Sequence, residues 1–350
     1  TIHLYVFPPF TSALRCSYIS ILLRSVITKQ ANERAKARNI RIGFEALAWG
    51  RHINDHRDAW EVVRRADHSH VGLILDRFHT LGRNIDPDTI RSIPGDKIFF
   101  VQLADAPRID MDLFYWSRHF RNMPGEGDLP VVDFMRAVMA TGYDGPLSLE
   151  IFNDQFRGGS PVMIANDGLR SLRSLMDDVR RLEPGIKTEL PAMPQRSVCS
   201  GYEFIEFTTS EEEAEALSDL LSALGFVHVG NHVSKKVARW AQNDINILIN
   251  SEGSGFAHSS YEVHGVSACE IALRVDNAGD TVERARQLGA EVVQTRQADG
   301  ELSIPAIRGV GGGMVRFIDR RGDLGDLWEI DFNQVTPAAA DSAVGRQTTD

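Results

Sequence analysis

At 350 residues the chain has room for two ordinary domains or for one barrel with additions. Its hydrophobic content of 43% is that of a globular protein, and its net charge of −10 argues against a nucleic-acid partner, whose binding surfaces are basic. The three cysteines, Cys16, Cys199 and Cys269, are scattered and odd in number. They imply neither a disulfide framework nor a zinc knuckle, and a reducing cytoplasm is the expected compartment.

Residues 1–28 form an atypical N-terminal segment, aromatic at Tyr5, Phe7, Phe10 and Tyr18 but broken by Pro8, Pro9, Arg15 and Arg24. No apolar run reaches the ~18–20 residues that span a bilayer, and no signal-peptide pattern is present. A non-native or displaced beginning is expected there, and no membrane partner. From Lys29 the pattern changes to alternating strands and helices with short connections, the signature of parallel βα units. The end of a helix is expected over 29–39, then a strand over 40–45, a helix over 57–66 and a strand over 71–76. A short helix near 87–93, a strand over 97–103, a helix over 131–141, a strand over 146–152 and a helix over 163–182 complete the series.

Each of the four strands is an apolar run that ends on a metal-capable side chain: Glu45, Asp76, Gln102 and Glu150. Strands covered on both faces lose the apolar/polar alternation, so these runs read as buried parallel strands. In a β/α barrel the carboxyl ends of the strands converge on one pocket. Three carboxylates and an amide carbonyl there suit a hard or borderline divalent ion, Mg²⁺, Mn²⁺ or Co²⁺. A solvated strand terminus is the alternative for any one of them. His79 lies three residues beyond Asp76, where a neutral imidazole can take a proton from a carbon acid. Ser117 and Arg121 are four apart and share a face if their segment is helical. Arg121 could hold a substrate carboxylate or simply form a surface ion pair. The turn from Pro124 to Gly127 reads as a pocket-edge loop that lets backbone approach a ligand.

A linker marked by Pro184, Pro191 and Pro194 spans 184–200. Beyond it a strand (202–207), a helix (210–224) and three hairpin-like strands (226–233, 236–241 and 245–250) are expected. The order recurs as a strand over 268–275, a helix over 278–288 and strands near 290–294, 306–310, 314–319 and 327–332. A βαβββ unit of about 60 residues given twice is an internal repeat, and it forms an α+β domain over 201–335. The tail, 336–350, is rich in Ala, Thr and Asp and reads as disordered.

Phe44, Glu45, Trp49 and Gly50, with Leu75, Asp76, Phe78 and His79, resemble the metal-site strands of the xylose-isomerase-like barrel superfamily. So do Val101, Gln102 and Asp105, and Ser148, Leu149 and Glu150. Within it, Arg51, His52 and the run from Tyr115 to Gly127 resemble bacterial 3-dehydroshikimate dehydratases of the two-domain type. Such proteins fuse the barrel to a module similar to 4-hydroxyphenylpyruvate dioxygenase. The resemblance implies dehydration of 3-dehydroshikimate to protocatechuate in aromatic catabolism. It implies Glu45, Asp76, Gln102 and Glu150 as metal ligands, His79 as base, and Ser117 and Arg121 as substrate contacts.

A full β/α barrel has eight strands in ~250 residues. The four strands readable over 29–183 look like the last four, a C-terminal half-barrel. A fragment is therefore expected, or two copies that complete each other as a homo-oligomer. The second half resembles the vicinal-oxygen-chelate family, whose active members hold iron with two His and one Glu. Glu329, His258 and His264 are the candidates, but the first strand has no His and the two His lie in a loop-like, Ser/Gly-rich stretch, so a non-catalytic half of a dioxygenase-like domain is the expected reading. The alternatives to the lyase are a sugar-phosphate or keto-sugar isomerase or epimerase, and a non-catalytic remnant acting as a binding module.

Overall fold

The computed structural model describes residues 33–186, 192–294 and 300–335. The expected N-terminal segment, the start of the 29–39 helix and the tail lie outside the described residues. The chain divides into two compact units between Ala192 and Met193. Among the described residues no helix is long and apolar enough to cross a membrane.

The first unit contains β1 (Ile42–Phe44), α1 (His56–Ala66), β2 (Val71–Asp76), α2 (Arg77–Leu81), β3 (Ile98–Leu103) and α3 (Leu113–His119). It continues with α4 (Val131–Ala140), β4 (Leu147–Leu149) and α5 (Pro161–Leu182). The four strands form one parallel sheet in sequence order, as the strand–helix alternation requires. Every residue of β2 is buried, which is why its sequence carries no alternation. Helix α1 starts on Asp55, whose side chain accepts from Arg57 N–H, and it turns Ala59, Val62, Val63 and Ala66 inward. These join Leu73, Leu75, Leu103, Phe134, Met135 and Val179 in one core.

The strand ends place the candidate ligands. Asp76 and Gln102 stand opposite each other across β2 and β3, and Gln102 stands opposite Ser148 on β4. Glu45 and Glu150 follow the last residues of β1 and β4. The paired strands are shorter than the expected 40–45 and 146–152, because the chain leaves the sheet once its side chains reach the pocket.

Asp105, just beyond β3, ties down the segment that follows α3. Its buried carboxylate accepts from the N–H groups of Ala106 (2.8 Å), Gly125 (3.0 Å) and Leu129 (3.2 Å). Its backbone exchanges two hydrogen bonds with Asn122, at 2.6 and 2.7 Å. Arg77, fully buried, reaches it at 3.4 Å and leaves Nε and Nη2 without a partner. A Cβ on Gly127 would stand 2.6 Å from Oδ1 of Asp105 and 2.5 Å from the carbonyl oxygen of Ala106. The glycine that the sequence assigns to close approach of a ligand is thus needed for close approach to Asp105.

The second unit contains β5 (Cys199–Thr208), α6 (Glu211–Ala223), β6 (Val227–His232), β7 (Val237–Gln242), β8 (Ile245–Asn250) and α7 (Gly255–His264). Then come β9 (Ser267–Val275), α8 (Ala278–Gln287), β10 (Val292–Val293), β11 (Ala306–Arg308), β12 (Met314–Ile318), α9 (Leu327–Ile330) and β13 (Phe332–Gln334). All nine strands share a sheet in the order β10-β11-β12-β9-β5-β8-β7-β6-β13. The repeat is plain in the pairing: β5 runs parallel to β8, β9 runs parallel to β12, and β5 meets β9 antiparallel at the centre.

Two sequence expectations fail in this unit. Residues 327–332 do not form one strand. Leu327 is buried and Trp328 packs its ring against Phe204 and Phe332, so the chain coils into α9 before β13 pairs with β6. The stretch holding His258 and His264 is not a loop but α7, closed by Gly265 at φ 68°. Glu329 is exposed, as is His264, and His258 faces Glu262 at 3.8 Å on its own helix. The three do not appear as a metal-capable cluster among the described residues.

At the centre of this sheet Glu206 on β5 stands opposite Glu270 on β9. Arg316 pairs with Glu270, while Glu206 receives the Asn250 amide at 2.8 Å and the Cys269 thiol at 3.9 Å. Burial, and then the Glu270 charge, push the Glu206 carboxyl up to about 7.

Two stability tests follow from these contacts. Asp105→Asn cannot accept from all three amides and strands Arg77, so a loss on the order of 3 kcal/mol is expected in denaturant titration; a loss below about 0.5 kcal/mol would show that the knot is dispensable. The raised Glu206 carboxyl favours the folded state fully at a pH below its ordinary 4.5, and that contribution is lost as pH rises through about 7. Glu206→Gln is accordingly expected to stabilise the protein by up to ~3 kcal/mol at pH 8 and hardly at pH 4. Equal shifts at the two pH values in thermal melts would contradict this.

Candidate metal centre

The centre is assembled from the carboxyl ends of the four strands found among the described residues of the first unit and from the two short helices that follow β2 and β3. Asp76 is both the last residue of β2 and the cap of α2: its Oδ1 accepts from Phe78 N–H at 2.7 Å. One turn further on, α2 presents His79. The sequence reading missed α2, since five residues are too few for a helical period to show. Asp76 at a strand end followed by His79 was the available signal.

Glu45, Asp76 and His79 each offer a ligand atom, and these atoms lie within 4.8 Å of one another. Nε2 of His79 stands 3.4 Å from Asp76 and 3.7 Å from Glu45. Its Nδ1 accepts from Ala48 N–H at 3.1 Å, which leaves the ring proton of the neutral form on Nε2. Trp49 packs edge-on against the ring at 5.1 Å and is itself met by Phe114 at 5.0 Å.

Glu150, just after β4, is not one of those three ligand residues and is linked to them through Gln102 and Arg121. Gln102 Nε2 donates to Glu150 Oε1 at 2.9 Å, while Gln102 Oε1 is buried with no donor. Arg121, 1% exposed, reaches in from beyond α3, which Asp112 caps. Its Nη1 donates to Asp76 Oδ2 and to Glu150 Oε2, both at 2.8 Å. Its Nε and Nη2 donate to the buried Ser117, with Nη2 to Oγ at 2.7 Å. Ser117 lies in α3 but Arg121 lies beyond its end, so the two share no helical face; they bond each other and the carboxylates, and Arg121 is no surface ion pair.

The electrostatics are lopsided. Burial, then the charges of Asp76 and Glu150, push Glu45 up to about 9. Burial, then Asp76, push Glu150 up to about 7. For Asp76 burial acts upward too, but the Arg121 and His79 interactions outweigh it and hold the carboxyl well below the usual range. Burial brings His79 down to about 4, so its ring is neutral. At neutral pH Asp76 is thus ionised and balanced by Arg121, while Glu45 carries a proton and Glu150 is near half-protonated.

This donor set fits a divalent cation. Three carboxylates converge, two of them reluctant to ionise without a further positive charge, beside a buried carbonyl oxygen that has no donor. A cation would relieve both deficits and would release protons as it bound.

Residues 23–175 match the family described as xylose isomerase-like TIM barrel, and residues 196–333 match the N-terminal domain of hydroxyphenylpyruvate dioxygenase. A 3-dehydroshikimate dehydratase of Pseudomonas aeruginosa is 45% identical over 327 residues, which make up 92% of this chain and 51% of the relative. Another, of Pseudomonas putida, is 42% identical over 322 residues, 90% of this chain and 50% of the relative. The solved structure of a xylose isomerase-like TIM barrel/4-hydroxyphenylpyruvate dioxygenase fusion protein is 41% identical with a TM-score of 0.83, and the match covers 94% of this chain and 53% of that one. The chain spans about half the length of the curated relatives it matches. Residues 23–175 are thus similar to a xylose isomerase-like TIM barrel and residues 196–333 to the N-terminal domain of hydroxyphenylpyruvate dioxygenase, in the order that the fusion protein's name gives.

Proposed function

We propose that the first unit holds a divalent metal, Mg²⁺, Mn²⁺ or Co²⁺, through Glu45, Asp76, Gln102 and Glu150, and that it serves the dehydration of 3-dehydroshikimate to protocatechuate. The observation that carries the reading is the buried Gln102 carbonyl oxygen without a donor, set among carboxylates that lack compensating charge. The relatives that match nine-tenths of the chain bear the name of this activity, which supports the lyase over an isomerase or epimerase.

The bound metal would supply stabilisation of the enolate that forms when a proton leaves the carbon beside the substrate ketone. His79 exchanges that proton at Nε2, because Ala48 N–H occupies Nδ1. Nε2 faces Asp76 and Glu45, and it acts as a base in the tautomer whose proton sits on Nδ1, which requires the Ala48 N–H contact to open. The same ring then returns a proton to the departing hydroxyl, which leaves as water while the carbon ring becomes aromatic. Arg121 orients the substrate carboxylate, and Ser117 keeps the guanidinium in place. Trp49 and Phe114 shield His79 from solvent, which keeps its imidazole neutral.

Calorimetric titration with Mn²⁺ tests the ligand set. Glu45→Gln and Asp76→Asn are each expected to weaken binding at least tenfold, and unchanged affinity in both would refute the four-ligand site. Activity is read by incubating the protein with Mn²⁺ and 3-dehydroshikimate and following the ultraviolet absorbance of an aromatic product. His79→Phe is expected to lower that rate by about 10²–10⁴ while keeping Mn²⁺ affinity; a parallel fall in affinity would make His79 a ligand instead. No product from folded, metal-loaded protein would defeat the lyase reading.

A further inference from the structure

We propose that Arg121 is an internal counter-cation that occupies the metal's carboxylate oxygens, so that metal binding displaces it and releases it toward the substrate carboxylate. The proposal rests on the reading that Asp76 and Glu150 are metal ligands. It adds an order of events and a coupling between two ligands, neither of which follows from the ligand set alone.

Asp76 Oδ1 is committed to the cap of α2 through Phe78 N–H. Glu150 Oε1 is committed to the Gln102 amide. Each carboxylate therefore has one uncommitted oxygen, and Arg121 Nη1 donates to both of them at 2.8 Å. A metal that takes those two oxygens meets a guanidinium already in place. Two cations sharing the same pair of oxygens repel strongly in a buried site. One must leave, and the divalent ion carries the larger charge.

Arg121 is built to move only in part. Its Nε is held by the carbonyl and hydroxyl of Ser117, and its guanidinium lies 4.9 Å from the Phe78 ring centroid and 5.4 Å from that of Phe152. The backbone beneath it is pinned by Arg121 N–H to Phe152 O and by the Asp105 contacts to Asn122. The freed Nη1 edge can therefore reorient beside the site while the side chain stays attached. A carboxylate ligand that captures Nη1 would draw it from Asp76 and Glu150 and make metal binding easier. By linkage the metal must favour that carboxylate by the same factor.

Mn²⁺ calorimetry on the full chain tests this, with benzoate as the probe because it offers a carboxylate and no hydroxyls to chelate metal. Arg121→Gln is expected to bind Mn²⁺ about tenfold or more tightly than the wild type. Saturating benzoate, compared with chloride at equal ionic strength, is expected to tighten Mn²⁺ binding several-fold in the wild type and not in the variant. The wild-type benzoate effect needs no substitution, so the proposal stays exposed to refutation if the variant fails to fold. Wild-type protein that binds Mn²⁺ with no benzoate effect, or an Arg121→Gln protein that binds Mn²⁺ equally or more weakly, would overturn the counter-cation while leaving the metal site standing. Failure of both proteins to bind Mn²⁺ would remove the metal reading and this proposal together.

Discussion

The ion pair from Arg121 to Asp76 and Glu150 organises the first unit. It joins the ends of β2 and β4 to the segment behind α3, across 45 and 29 residues of sequence. Without it, three acidic side chains from separate strands would face one another in a buried space, where like charges and desolvation act in the same direction. With it, Asp76 is held ionised, while burial and the Asp76 charge push Glu45 and Glu150 up against the pull of Arg121.

That constraint explains features with no direct part in any reaction. Asp76 must keep Oδ2 turned toward the site, and the cap bond from Phe78 to Oδ1 sets this orientation. Arg121 must arrive from one direction, and the Asp105 carboxylate fixes the chain beyond it through three amides. Arg77 and Asp76 are neighbours in sequence, yet they serve the two halves of this arrangement: one steadies Asp105 and the other holds Arg121. The tightly packed loop at Gly127 belongs to the same scaffold.

The strand ends were legible in the sequence because buried parallel strands are uniformly apolar, so a terminal Glu, Asp or Gln stands out. Their convergence was legible too, since parallel βα units put all carboxyl ends on one side. The Arg121 bridge was not. An ion pair between positions 76 and 121 leaves no local periodicity, and a lone Arg near aromatic residues reads equally well as a surface group. Helices α2 and α3, of five and seven residues, are too short for a helical period to declare itself. In the second unit the βαβββ repeat was readable from order and spacing. The misassigned stretch at 327–332 shows the limit of that method, because closely spaced apolar residues fit a short helix as well as a strand.

The two units also differ in a way that bears on which one binds a ligand. Each has a buried acidic cluster on its sheet and a guanidinium beside it. In the second unit the polar atoms are paired from within: Glu270 with Arg316, Glu206 with Asn250, and the Cys269 thiol with the Glu206 carbonyl. In the first unit's cluster Gln102 Oε1 is buried without a donor. A buried carbonyl without a donor costs stability that an apolar side chain of similar size would avoid. Its place beside three carboxylates is what the proposed metal would satisfy. The second unit's cluster, closed on itself, has no corresponding demand.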